Sequence, residues 1–481
     1  MKDDTVSAAS MKPDIKKNYI YRLIYEIVYA ALPVITLPYI SRVLGADGVG
    51  EYSYAFSIIT YFMLMGTLGT SSYGTREIAR NRDDKRTCSK LFWEIELMSV
   101  AVCLVSLIMW VLLILLDEGH RLFFIALTPF LLGTMFDITW FFTGLERIKT
   151  IVSANAAVRI SGVVLLFLIV RTREDVVAYC AVNSLTQLTA SLSMWIFLPK
   201  YLVRCRVTWT NFSHHFRETV IYFIPTIAQS IYNVLDKTLI GIITGSPFQN
   251  GYYEQSSKII WIANGVSFTV FNSVLYPRMS YLFATMEPGE VKKKISQAAD
   301  YILFMCFGAA FGLLGITHTL VPVVFGDGYA PAELLIYMML PLIPVIGISN
   351  CLGNQYYTPV GKRLQSSRYI VTGAAVNLIL NLCLIPFFEA RGAVVASVAA
   401  ELLITWLYIR NCDGYLTLKM VGASSVKRIF AGACMALTVY MLGHVPLNGI
   451  CVLLLQLASG AAVYILMLYA LKDEVLKRRL I

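Results

Sequence analysis

Residues 224–260 read IPTIAQSIYNVLDKTLIGIITGSPFQNGYYEQSSKII. Two apolar runs flank a short polar turn, Gly245-Ser246-Pro247-Phe248-Gln249-Asn250, so the stretch reads as a hairpin of two helices. Asp236, Lys237, Glu254 and Lys258 lie inside those runs. A charge at that depth is costly in hydrocarbon, and it marks an ion pair, a pathway or a binding site. Asp236 sits about 8 residues before the outer end of the first helix, roughly 12 Å deep at 1.5 Å per residue. Lys258 lies at nearly the same level on the second helix, with Glu254 four residues before it on the same face. Two readings follow: a salt-bridged hairpin that neutralises itself, or the outer half of a polar surface lining a cavity. Lys237 points about 100° away from Asp236 and calls for a partner of its own.

The rest of the chain resembles this hairpin in composition. Of 481 residues, 57% are hydrophobic and 15% charged, with a mean hydropathy of +0.65; a soluble domain carries roughly 25% charged residues. Apolar runs of about 20 residues recur throughout, each long enough for a hydrocarbon core of ~30 Å. The fold class is therefore an all-α polytopic membrane protein. Fourteen spans are expected, including helix 1 over 20–44, a turn at 45–50, helix 2 over 51–72, helix 10 over 332–357, and helices 13 and 14 over 429–443 and 449–471. A basic linker at 199–218 divides the chain into 1–198 with six helices and 219–410 with six more, followed by 411–481 with the last two and a basic tail. Residues 1–17 are polar with no cleavage signal, so the first helix is expected to be its own insertion signal.

The net charge of +10 raises the question of nucleic acid. With the N-terminus placed inside and sides alternating, 32 of the 40 lysines and arginines fall on inner segments. Five fall outside (Arg42, Arg121, Arg171, Arg173, Arg391), and Arg159, Lys237 and Lys258 lie within helices. That bias is the positive-inside pattern, so both termini are expected in the cytoplasm of a multi-pass cell-membrane protein and no nucleic-acid partner is implied. All outer turns are short, which excludes a folded external domain and places function between helices.

The halves echo each other. Gly50-Glu51-Tyr52 leads to Ile58-Ile59, and Gly251-Tyr252-Tyr253 leads to Ile259-Ile260, at a constant offset of 201, with Pro33 and Pro225 in the preceding helices. Two halves of the same topology imply a parallel repeat with a cavity between them.

Other helix-embedded charges come in neighbouring sets. Arg159 lies about 8 residues into helix 5 and Asp137 about 6 residues from the inner end of helix 4, at a shared level, as a structural pair or as ligand contacts. Arg22 and Glu26 are four apart near the inner end of helix 1, either paired or with Arg22 reaching the interface. The amides within apolar runs, Asn155, Asn233, Asn264, Asn272, Asn350, Gln355, Asn377 and Asn381, line a cavity or bond between helices. The ten cysteines are scattered and read as small apolar residues. The five histidines show no metal spacing, and His214-His215 reads as a solvated linker. No phosphate loop or nucleophile grouping is present, so no enzyme activity, cofactor or metal is expected.

Several stretches then resemble one family, the Wzx-type polysaccharide flippases of the multidrug/oligosaccharidyl-lipid/polysaccharide exporter superfamily. They are Leu37-Pro-Tyr-Ile-Ser-Arg-Val-Leu-Gly-Ala-Asp-Gly-Val-Gly-Glu-Tyr-Ser-Tyr54, Tyr73-Gly-Thr-Arg-Glu-Ile-Ala-Arg80, Asp137-Ile-Thr-Trp-Phe-Phe-Thr-Gly-Leu-Glu146, and Leu235-Asp-Lys-Thr-Leu-Ile-Gly241 with Asn250-Gly-Tyr-Tyr-Glu-Gln-Ser-Ser-Lys-Ile259. The resemblance implies two six-helix lobes in a V, with two extra helices. It implies movement of an undecaprenyl-pyrophosphate-linked oligosaccharide between leaflets by alternating access. Lipid II flippases and cation-coupled drug antiporters share that fold and are the alternative functions. The implied partners are the lipid-linked oligosaccharide, membrane lipids and other polysaccharide assembly proteins, with a monomer expected. A diphosphate headgroup needs sheltered cations, and the candidates are Arg22, Arg159, Lys237 and Lys258. Glu26, Asp137, Asp236, Glu254 and Glu401 are candidates for ion coupling or for pairing.

Overall fold

The computed structural model describes residues 15–205, 211–269, 279, 281–283 and 285–477; for 15–31, 148, 152, 221–222, 224–233, 269, 423–424 and 477 it describes the backbone alone. Among the described residues the regular structure is helical and no strand occurs. The chain forms two compact units, Met1–Leu37 with Ala55–Ile227, and Pro38–Tyr54 with Ala228–Ile481.

The first helix, α1 (Ile15–Thr67), contributes to both units. Sequence reading places a turn at 45–50 between two helices. Instead the helical bonding continues, and the single non-helical residue is Gly45, at φ 71° and ψ 177°. A left-handed φ costs glycine little, so one residue redirects the chain without a loop.

The first unit holds α2 (Thr70–Asn81), α3 (Lys85–Leu116), α4 (Arg121–Met135), α5 (Thr139–Gly144), α6 (Ile148–Ile169), α7 (Val176–Trp195) and the start of α8 (Phe212–Thr244). The sequence places one helix across α4 and α5; the helix is broken at Phe136–Ile138. Its core is aromatic: Tyr73, Phe92, Trp140, Phe141 and Phe142 are buried together with Ile78, Ile95 and Met194. Leu104, Val105, Ile108, Leu112 and Leu115 form an exposed apolar face on α3, which suits hydrocarbon rather than water.

The second unit holds the rest of α8, then α9 (Pro247–Asn264), α10 (Pro288–Val324), α11 (Ala330–Met339), α12 (Leu342–Leu352), α13 (Arg363–Phe388), α14 (Ala390–Arg410), α15 (Leu418–Leu442) and α16 (Gly449–Ala470). The single helix expected over 332–357, with Pro341 and Pro344 inside it, is bent: α11 and the segment from Leu342 to Tyr357 meet at 41°. Pro341 sits at the break, where it removes a backbone donor. Arg428 on α15 is almost fully buried between Asp300 of α10 (3.7 Å) and Asp473 (3.3 Å), tying the last helices to α10. Among the described residues, eight helices are long and apolar enough to cross a membrane, and the bent pair makes a ninth.

Candidate functional site

The family-like stretches, far apart in sequence, meet in pairs. In the second unit, 46–54 crosses 247–255 at two glycines. A Cβ on Gly50 would lie 1.7 Å from the Pro247 carbonyl oxygen, and one on Gly251 would lie 1.9 Å from that of Ala46. Each contact becomes the other when 201 is added or subtracted. The residues at the centre are related the same way: Ser53 Oγ donates to Glu254 Oε2 at 2.9 Å, across 201 residues. The Gln255 amide donates to Ser41 Oγ at 2.8 Å alongside.

Glu254 is the hub of this crossing. Its carboxylate is buried and takes Lys237 Nζ at 2.5 Å and Lys258 Nζ at 3.0 Å. Lys237 therefore has the partner that the sequence left open, and it is the acid of the next helix. One carboxylate between two ammonium groups leaves a positive charge in excess. The side chains of Lys237 and Lys258 stay 24% and 35% exposed, so that excess is accessible. Asn250 fixes the hairpin by donating to the Lys237 carbonyl at 2.9 Å.

Asp236, the expected member of that lock, faces elsewhere. Its Oδ1 accepts from Asn381 at 2.6 Å and Asn377 at 3.2 Å, and its Oδ2 accepts from the hydroxyls of Tyr253 and Ser397. Asn377 and Asn381 come from α13 and Ser397 from α14, so four helices converge on one buried carboxyl through neutral donors alone. Asn381 Oδ1 has no hydrogen-bond partner among the described residues. Two of the amides that the sequence left between cavity lining and interhelical bonding thus bond between helices, to an acid; Asn272 and the side chain of Asn233 lie outside the described residues.

In the first unit the two other stretches pack together. Gly74 admits the Trp140 ring, where an added Cβ would lie 2.4 Å from it, and Gly144 sits against Ile78. Arg82 pairs with Glu146 at 2.6 Å. Asp137 lies in the α4–α5 break and accepts from the Thr139 backbone at 2.9 Å. Arg159 donates to Gln187 Oε1 at 3.2 Å, and its charge acts on Asp137.

Glu401 is half-buried on α14, its field reaching Tyr408. Arg22 and Glu26 lie on the backbone of α1, and their side chains are outside the described residues. His215 corrects the sequence reading: it is buried, with Nδ1 2.7 Å from the Tyr73 hydroxyl and Nε2 3.2 Å from Glu94 Oε2. The linker's last residues are already the first turn of α8, which carries His215 inward. Glu94 also accepts from Asn211 and pairs with Lys90 at 3.7 Å.

At the loop before α13, Lys362 bonds Asp413 at 2.5 Å and the Tyr356 hydroxyl at 2.9 Å. The bond to Asp413 holds the ammonium above its ordinary pKa, and Lys362 in turn holds the Asp413 carboxyl below its own. An apolar cavity of about 500 Å³ lies between α10, α15 and α16, with Phe304, Gly308, Gly312, Met435, Gly460 and Tyr464 in its wall.

Sequence reasoning missed Glu94, Glu96 and Arg428 as buried charges. The first two were legible as acids in the apolar register of helix 3.

Comparison with known proteins places this geometry. The chain is 24% identical over 410 residues to a protein of Escherichia coli (strain K12) described as "Putative O-antigen transporter", covering 83% of this chain and 98% of that one. Its fold is similar to that of the lipid II flippase MurJ in an inward closed conformation, with a TM-score of 0.70 at 13% identity, covering 96% of this chain and 100% of that one. It is also similar to the MATE multidrug transporter DinF-BH, with a TM-score of 0.57 at 16% identity, over 85% of this chain and 97% of that one. The model of the polysaccharide biosynthesis protein family matches residues 15–283, more than half of the sequence, and the chain belongs to that family.

Proposed function

We propose that the protein moves a lipid-linked oligosaccharide, carried on undecaprenyl pyrophosphate, across the cytoplasmic membrane for assembly of a surface polysaccharide. The observation that carries this reading is the Glu254 cluster, a sheltered set of charges with one cation in excess and two half-exposed lysines. A diphosphate is the kind of group that such a cluster attracts. Family membership and the O-antigen transporter relative support the cargo class. Arg159, with Arg22, belongs to the inner part of the same headgroup path, and both termini lie in the cytoplasm. Helices of 1–198 and 219–410 act as the two moving lobes. The apolar cavity between α10, α15 and α16 has the lining of a hydrocarbon site and suits the lipid chain.

A second reading, cation-coupled transport, has its own support at Asp236. A buried carboxyl held only by neutral donors, beside an amide oxygen with no partner, is chemically suited to taking up a coupling ion. The two readings join in one scheme in which the lysines bind the headgroup and Asp236 binds the ion.

The test is direct. Lys258→Ala and Arg159→Ala, each in a strain dependent on this protein, should abolish surface glycan while the amount of membrane-inserted protein holds. Lipid-linked repeat units should accumulate on the inner leaflet. Normal glycan in both variants would remove these cations from the path.

A further inference from the structure

Two carboxyls on α3 lie two residues apart, about 200° around the helix, and have opposite surroundings. Glu94 is compensated by His215, Asn211 and Lys90. Glu96 is 2% exposed, and its Oε1 has no hydrogen-bond partner among the described residues. Asp137, in the α4–α5 break, is a second carboxyl close enough for the two to repel. Arg159 of α6 acts on this pair through Asp137, and Cys103 of α3 lies in the field of Glu96.

The indole of Trp140 completes the surroundings. Its Nε1 is buried close to Glu96 and has no hydrogen-bond partner among the described residues. The ring cannot move aside freely. It packs over Gly74, stacks on Phe92 at 5.6 Å between centroids, and its backbone carbonyl accepts from Thr75. A rigid donor thus lies beside a carboxyl with no counter-ion among the described residues.

We infer that Glu96 and Asp137 form a proton-binding site that holds one exchangeable proton between them. Two carboxylates and one guanidinium in a water-poor interior cannot all be charged without a large uncompensated cost, and a proton on one acid removes it. The Trp140 N–H stabilises the ionised form of Glu96, so the proton is exchangeable rather than permanent. Asp137 is the more exposed of the two acids and is the port: a proton from water binds there, passes to Glu96, and returns the same way. This inference gives the first unit an ion site of its own, separate from Asp236, and it stands whether or not the cargo is a lipid-linked oligosaccharide.

Infrared difference spectroscopy of the purified full-length protein in lipid, titrated with pH, tests it without a transport assay. The wild type should show the carbonyl band of a protonated carboxylic acid that disappears on alkaline titration. Glu96→Gln should remove that band. Asp137→Asn should keep it but move its midpoint down by about 1 unit or more, since a like charge is gone. Arg159→Gln should move it up. A wild type without the band, or a band indifferent to both Glu96→Gln and Asp137→Asn, overturns the inference. Glu118→Gln, at an exposed acid beyond the end of α3, serves as the control that leaves the band in place, and thermal melting of each variant separates loss of the site from loss of the fold.

Discussion

Asp236 and Glu254 are buried to nearly the same degree in one hairpin, at 5% and 6% exposure, and are solved in opposite ways. Glu254 is compensated by opposite charge, with two lysines within 3.0 Å. Asp236 is compensated by dipoles alone, from two amides and two hydroxyls. Charge compensation fixes a structure, because removing either sign leaves the other stranded. Dipolar compensation leaves the carboxyl able to exchange its neutral donors for an ion, because no counter-charge has to be expelled first. The hairpin therefore holds a carboxylate fixed by two lysines and a carboxyl held by neutral dipoles side by side.

The largest effect should come from breaking the first arrangement. Glu254→Gln strands Lys237 and Lys258 against each other and should cost about 3–5 kcal/mol, the usual size for removing one partner of a buried pair. Thermal melting in detergent measures it, and a melting temperature equal to that of the wild type would show that the lysines find water instead. Breaking the second should do less to the fold and more to the cycle. Asp236→Asn is isosteric but replaces one acceptor oxygen with a donor, and should cost about 1–3 kcal/mol, while transport in vesicles loses its dependence on the imposed ion gradient. Retained ion dependence would move coupling away from Asp236.

The smallest effect concerns an acid outside the membrane. Asp84 caps α3, accepting from the Arg86 backbone at 2.9 Å and from the Thr87 hydroxyl. The Thr87 bonds, with that of Arg86, hold its pKa below the ordinary carboxylate value of 3.8. A depressed folded-state pKa means that the contribution is present above the unfolded value and is lost as pH falls through the folded one. The protection factor for hydrogen exchange at the first turn of α3 should be flat at neutral pH and fall in acid; in Asp84→Ala it should be lower at neutral pH and meet that of the wild type in acid. Exchange that is identical in the two proteins would remove Asp84 as a cap.

The sequence carried the membrane class, the hairpin and most of the charged residues that matter, because charge in an apolar run is visible in one dimension. Pairings were less visible. Asp236 and Lys258 share a level, yet level does not fix azimuth, and the lysine that pairs most closely with Glu254 is the one 17 residues earlier, on the preceding helix. Three of the four donors on Asp236 lie 141 to 161 residues further on, beyond any local pattern. His215 was misread because its neighbourhood is polar, whereas the burial comes from Tyr73 and Glu94 on other helices. Gly45 was read as a turn because glycine near a polar cluster marks both loops and kinks.

The crossing at Gly50 and Gly251 carries a further consequence, one of ancestry. A contact that maps onto itself when two segments exchange places is the defining property of an isologous homodimer interface. Gly50 on Pro247, Gly251 on Ala46, and Ser53 on its own counterpart Glu254 have that form within a single chain. The arrangement is what duplication and fusion of a half-length, dimer-forming chain would leave behind. Within one chain the axial position need not be the same residue twice, and it holds a serine on one side and the lysine-binding carboxylate on the other.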